Sequence, residues 1–403
     1  MKFSKLSQLF LVSSIGLLVA TLLTACQLVT IGYVFVTSSS GSGTSGDGQI
    51  STFAVDSESG ALRRGAAIVS SGGVNPVAIA ASPDYLNLYV ANAGDDTVVH
   101  FTSSLNGVLT AKDTVTLSEA PVSLAVSAAG TYLYVVSGTD SATLTEYPLS
   151  SGTIGTPVAQ QSLDVPGYGG DTIIPTGVTV LANNNSVFVS AYDQSAYNPG
   201  GTATSSANPG WVFGFAVGSG GTLTASTGSP YKAGVKPSAL AADPTSRFVY
   251  VTDFASNQLI GYGVQSGSRL NFLINGPFRT GSEPESVAID PRGKYMYVAN
   301  ELDSSVSAYV IDLGTGTPSA AVNTTGSAVN STDTQPVSLG IDPALGRFVY
   351  TANYLGNSVS GFRLDPNAGT LTTTQATPYL TGNKPTALVV VPHGNHSLQA
   401  VGP

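Results

Sequence analysis

The chain has 403 residues, with 46 glycines and 23 prolines, and only 10% of its residues are charged against 42% hydrophobic. That balance fits many short strands joined by tight turns better than a helical protein. A net charge of −9 without a Lys/Arg cluster argues against nucleic acid as a partner. One cysteine and three histidines leave little for a zinc site, so no cofactor is expected, and any metal would be a hard divalent cation on oxygen ligands.

Taken in chain order, Lys2 and Lys5 are followed by an apolar run that closes on small residues, the order of a secretory signal. Leu23-Thr24-Ala25-Cys26 resembles a bacterial lipobox. The resemblance implies that residues 1–25 are removed and that Cys26 carries lipid. The mature chain, 26–403, is then exported and anchored to a membrane of the cell envelope, facing the periplasm or the surface. An uncleaved membrane anchor is the alternative, because apolar residues resume over 28–36.

Seven prolines, Pro76, Pro121, Pro175, Pro237, Pro284, Pro336 and Pro385, each open an apolar run, as in "PVAIAAS", "PESVAID" and "PTALVVV". A turn follows, such as "DPTSR" or "DPRGK", in which Asp243, Asp290 and Asp342 read as turn formers. Next come an aromatic-rich strand ("LYVAN", "VYVTD", "MYVAN", "VYTAN") and a third strand with aliphatic-x-x-aromatic, as in Val306/Tyr309. A glycine turn leads to a weaker fourth strand. Four antiparallel strands repeated seven times predict an all-β, seven-bladed β-propeller in a single domain.

The N-terminal segment offers strands two to four without a first, and "KPTALVVVP" offers a first strand without its blade. Pairing them closes the ring and leaves no exposed edge. The tail "HGNHSLQAVGP" also aligns to a second strand, so six or eight blades remain open.

With "YVAN" at 89–92 and 297–300, "YVTD" at 250–253 and "YTAN" at 350–353, the chain resembles the YVTN-repeat propellers. These belong with the seven-bladed lactonase family, which includes 6-phosphogluconolactonases and carboxymuconate cyclases. The resemblance implies a His after the first-strand proline and an Arg after the "YVAN"-type Asn, both facing a central channel. Here the residues after the prolines are Val77, Val122, Thr176, Ser238, Glu285, Val337 and Thr386, and those after the Asn or Asp are Ala93, Phe254, Glu301 and Tyr354.

In such a ring the first strands start at the channel mouth, and the loops between second and third strands rise on the same face. Glu283, Glu285 and Glu301, with Lys236 from the preceding blade, are the catalytic candidates. Crowded carboxylates raise one another's pKa and can act as an acid–base pair or take a hard cation; a solvated acidic rim is the other reading. Lys384, Gln335 and Asp253 are ligand-binding candidates on the same face. So are Tyr192, Tyr197 and Trp211, in or beside a long insert read as a lid or a tolerated insertion. His393 and His396 have metal-like spacing but fall on the opposite face, and His100 sits in mid-strand. The expectation is a monomeric module that binds a small molecule, a glycan or an envelope protein through its top face. The alternative is a divergent lactone hydrolase or cyclase using the carboxylates.

Overall fold

The computed structural model describes residues 29–40, 46–139, 141–165, 172–195, 209–399 and 401. Residues 1–28 with Cys26, Tyr197 and most of the 192–211 insert lie outside the described residues. Among them no helix is long and apolar enough to cross a membrane.

Each proline run becomes the innermost strand of an antiparallel sheet, and seven such sheets stand around a common axis. In the Pro284 blade the strands are Pro284–Ile289, Tyr295–Asn300, Ser305–Ile311 and an outer strand split into Pro318–Ala320 and Val329–Ser331. The outer strand is interrupted in the same way in six blades, and the Pro76 blade keeps it whole as Leu109–Thr116. An outer strand pairs on one side only, so a break there costs few ladder bonds. First strands pack against the first strands of both neighbouring blades, the last of them, Asn383–Pro392, against Pro76–Ala81.

The seam follows the expected pairing. Asn383–Pro392 lies against Thr30–Ser40, with Val34 opposite Val390 and Val36 opposite Leu388. Gln49–Asp56 and Leu62–Arg64 continue this sheet outward. The tail does not compete for the place of the second strand: it forms a short 3-10 helix, Gly394–Leu398. His396 fixes that helix through Nε2, 3.0 Å from Asp342 Oδ1 in the neighbouring turn. The count is therefore seven.

Second strands are buried over almost all of their length, and wholly so in Tyr295–Asn300 and Phe348–Asn353. This explains their unbroken apolar and aromatic character, since both faces pack against neighbouring blades. The "YVAN" tyrosine has a particular task there. Tyr89 donates its hydroxyl to Gly152 O at 2.7 Å, Tyr250 to Gly316 O at 2.6 Å, Tyr297 to Gly369 O at 2.7 Å and Tyr350 to Gly60 O at 2.7 Å. Each acceptor is the glycine of a hairpin turn in the next blade. At Gly369 the backbone has φ +72°, and a Cβ would stand 2.2 Å from Tyr295 Cδ1, so both conformation and space require glycine. The closing Asn is equally occupied: Asn300 Nδ2 donates to Ser305 and Ser307 Oγ at 3.0 Å each, while its Oδ1 accepts from Gly281 N at 3.1 Å. The motif therefore joins blade to blade and strand to loop.

The Asp-Pro turns behave as read. Asp290 Oδ1 accepts from the backbone of Lys294 and Tyr295 at 2.8 and 2.7 Å. Asp243 Oδ1 accepts from Arg247 and Phe248 at 2.7 Å each.

Candidate functional site at the channel mouth

Every first strand carries the same irregularity. The pairing skips one residue between the proline and the position two beyond it, for example between Pro284 and Ser286 opposite Asn300 and Ala299. The skipped residue is the one after the proline: Val77, Val122, Thr176, Ser238, Glu285, Val337 or Thr386. A bulge bends its strand and re-aims a side chain, here on the inner wall where the strand begins. Six of the seven are Val, Ser or Thr, and Glu285 alone is charged.

The residue before the proline is strained in four blades: Asn75, Glu283, Gln335 and Lys384 hold φ of 54°, 55°, 58° and 53°. Glu283 is kept there from two sides. Its N–H donates to Asn257 Oδ1 of the preceding blade at 2.8 Å, and its carbonyl accepts from Glu301 N at 2.8 Å. The backbone pairing of the two strands thus delivers Glu283, Glu285 and Glu301 to one place. Lys236 reaches the same place from the preceding blade, its Nζ lying 4.1 Å from the Phe254 ring centre and 5.8 Å from that of Tyr192.

The electrostatics distinguish the three acids. Burial first, then the charge of Glu301, pushes the Glu285 carboxyl up to about 8; Lys236 opposes this and Glu283 adds to it. Glu301 is raised too, by burial and by Glu283, again against Lys236. Glu285 is only partly open to water. Near neutral pH this gives a protonated carboxyl group beside an ionisable carboxylate, with one ammonium group to offset the accumulated charge.

The remaining candidates fall into distinct environments. Gln335 and Lys384 repeat the Glu283 position in the next two blades, and Lys384 Nζ lies 5.7 Å from the Tyr354 ring centre. Asp253 is fully buried: it accepts from Lys236 N at 2.9 Å, Val235 N at 3.0 Å and Gln258 Nε2 at 2.9 Å. It braces the segment that carries Lys236. Trp211 is buried in the core between blades, with Lys232 Nζ 3.7 Å from its ring centre. Tyr192 stays half-buried beside Lys236, whereas Tyr197 lies outside the described residues. Phe254 and Tyr354, at positions where the resemblance implies Arg, are the rings against the two lysines; only the repeat alignment points to them.

Two of the three histidines are structural, and His393 is half-buried with its ring edge-on to Tyr33 at 5.4 Å. His100 is buried, stacked on Tyr89 with centroids 5.2 Å apart, and bonded to Asp113 Oδ1 at 2.6 Å and Asn87 Oδ1 at 2.9 Å. His396 is likewise buried on Asp342. Among the described residues no group of three or more His, Cys, Asp or Glu is arranged to hold a metal ion.

A ring of seven four-stranded blades with a bulge at each first strand defines a seven-bladed propeller, with the candidate carboxyl cluster at the channel mouth. The family described as "Lactonase, 7-bladed beta-propeller" matches residues 46–168 and 221–400, and the chain belongs to it. Among solved structures, the Pseudomonas aeruginosa periplasmic gluconolactonase superposes with a TM-score of 0.71 at 19% identity, over 90% of this chain and 99% of that one. A Bacteroides uniformis protein provisionally designated a 6-phosphogluconolactonase gives 0.72 at 18% identity, over 90% and 100%. A similarly designated protein from Bacteroides fragilis gives 0.71 at 19%, over 91% and 99%. At these identities the likeness is one of fold. No curated protein matches the chain by sequence.

Proposed function

We propose that this protein is an exported lactone hydrolase that uses Glu285 and Glu301 as its acid–base pair. The observation that carries this reading is Glu285: the one charged bulge residue in the ring, held protonated to about 8 beside a second carboxyl group. Two carboxyls whose surroundings separate their roles are the usual means of running acid and base chemistry near neutral pH. Glu301, as the carboxylate, takes a proton from water as the water oxygen attacks the lactone carbonyl. Glu285 donates its proton to the ring oxygen as the acyl–oxygen bond breaks, giving a hydroxy acid. Lys236 offsets negative charge that develops on the carbonyl oxygen. Family membership supports the reaction class, and the departure from His and Arg at the expected positions means that this chain would run it with different groups.

Export rests on the N-terminal order of charges, apolar run and lipobox-like "LTAC". The periplasmic location named for the Pseudomonas aeruginosa relative is consistent with it. A mass spectrum of the mature N-terminus tests it: the expected result is a chain beginning at a lipidated Cys26, and an intact Met1 would contradict it.

A second reading, binding without turnover, is favoured by the pairing of Lys236 with Phe254 and of Lys384 with Tyr354, which offers ring-and-ammonium platforms on the same face. A panel of γ- and δ-lactones, followed by product titration and by calorimetry with the matching lactams, separates the two. Hydrolysis lowered about 100-fold in both E285Q and E301Q supports catalysis; saturable lactam binding without hydrolysis supports the binding module.

A further inference from the structure

We infer that Ser238 is a positioning residue for Glu285, acting across the blade boundary on the peptide that carries it; this rests on the acid–base reading above. Ser238 is the bulge residue of the preceding blade and is buried, 9% exposed. Its Oγ lies 2.5 Å from Pro284 O and 2.8 Å from Thr252 Oγ1. Thr252 Oγ1 in turn accepts from Ala239 N at 3.0 Å.

These contacts fix the direction of the Ser238 hydroxyl. A carbonyl can only accept, so Ser238 is the donor to Pro284. The Ala239 N–H occupies Thr252 Oγ1 as a donor, and the Thr252 hydroxyl then donates to Ser238 at 2.8 Å in preference to Ala239 O at 3.2 Å. The Pro284 carbonyl belongs to the peptide bond leading into Glu285. Glu285 is left out of the strand pairing by its bulge, so the ladder alone holds this peptide loosely. The hydroxyl restores the missing constraint and keeps the carboxyl in the enclosed position, where the charged groups acting on it are Glu301, Lys236 and Glu283.

The same contact occurs once more, from Thr386 Oγ1 to Pro76 O at 2.6 Å, where the residue that follows is Val77. There it can only join blades. Thr386 is therefore an internal control, and threonine at the equivalent positions 176 and 386 shows that the bulge tolerates its methyl group.

The test follows the Glu285 carboxyl by 13C NMR in protein labelled at glutamate side chains, assigned through E285Q, in wild type, S238A, S238T and T386V. The expected result is that S238A lowers the Glu285 midpoint by about one pH unit, that S238T restores it, and that T386V leaves it unchanged while lowering the melting temperature. An unchanged midpoint in S238A, or an equal shift in T386V, overturns the proposal. Lactone turnover is measured on the same samples. A shifted midpoint without turnover in any sample would reject the hydrolase reading and keep the positioning role; E285-dependent turnover with an unmoved midpoint would do the reverse.

Discussion

At the residue scale, Glu285 is held where its carboxyl is poorly hydrated, and this has a cost that depends on pH. A carboxyl raised to about 8 from an ordinary 4.5 binds more protons in the folded than in the unfolded chain throughout that interval. Stability therefore falls as pH rises from about 4.5 to about 8, and the loss is complete above it. E285Q removes the titration. We expect E285Q to match wild type at pH 4.5 and to be more stable at pH 9, by on the order of 2 kcal/mol given the partial access of the carboxyl to water. Urea unfolding at the two pH values checks this. Equal midpoints for both proteins at pH 9 would mean that Glu285 is solvated and the cluster is merely a rim.

Asp253 and Trp211 show what sequence leaves open at this scale. Both stand at the channel end of a strand, as a ligand-binding residue would. Whether an oxygen there meets solvent or backbone depends on the path of another loop: Asp253 accepts from Val235 and Lys236, 18 and 17 residues earlier. The glutamate cluster was legible because the strand repeat itself superimposes Glu283, Glu285 and Glu301.

At the element scale, the second strand and the glycine hairpin of the next blade form one unit. The Tyr297 hydroxyl is buried on Gly369 O, so Y297F leaves that carbonyl unpaired and should cost about 1–2 kcal/mol. G369A should cost more, because it adds a Cβ at φ +72° directly against Tyr295. Thermal melts of the two variants give the order, and a G369A variant as stable as wild type would contradict it. The repeat showed that tyrosine and glycine recur, but not that they meet, since Tyr297 and Gly369 lie 72 residues apart. The prolines were legible for a local reason: each precedes the bulge at or near the start of its strand, where a missing N–H is tolerated.

At the scale of the whole molecule, stability depends on a seam made by the two ends of the chain. Removing residues 383–403 deletes the first strand of the closing blade and exposes Thr30–Ser40 as an edge, and such a truncation should aggregate or fail to fold. The seam also has a pH-dependent fastening. The hydrogen bond to Asp342 raises the His396 pKa above 6.5, against burial. Its contribution is therefore fully present below pH 6.5 and is lost as pH rises through the higher folded value. H396A should flatten that part of the stability profile. The ring, its closure and its channel were legible in the spacing of seven prolines, whereas the final helix was not, because the ordering partner of His396 belongs to another blade.

The most direct test of the central claim is the pH profile of kcat/KM for lactone hydrolysis, corrected for spontaneous ring opening, in wild type and E285Q. Catalysis by Glu285 and Glu301 gives a bell that falls on the alkaline side near pH 8, and an E285Q profile lowered about 100-fold with that limb absent. Hydrolysis by E285Q at the wild-type rate with the same alkaline limb would contradict it.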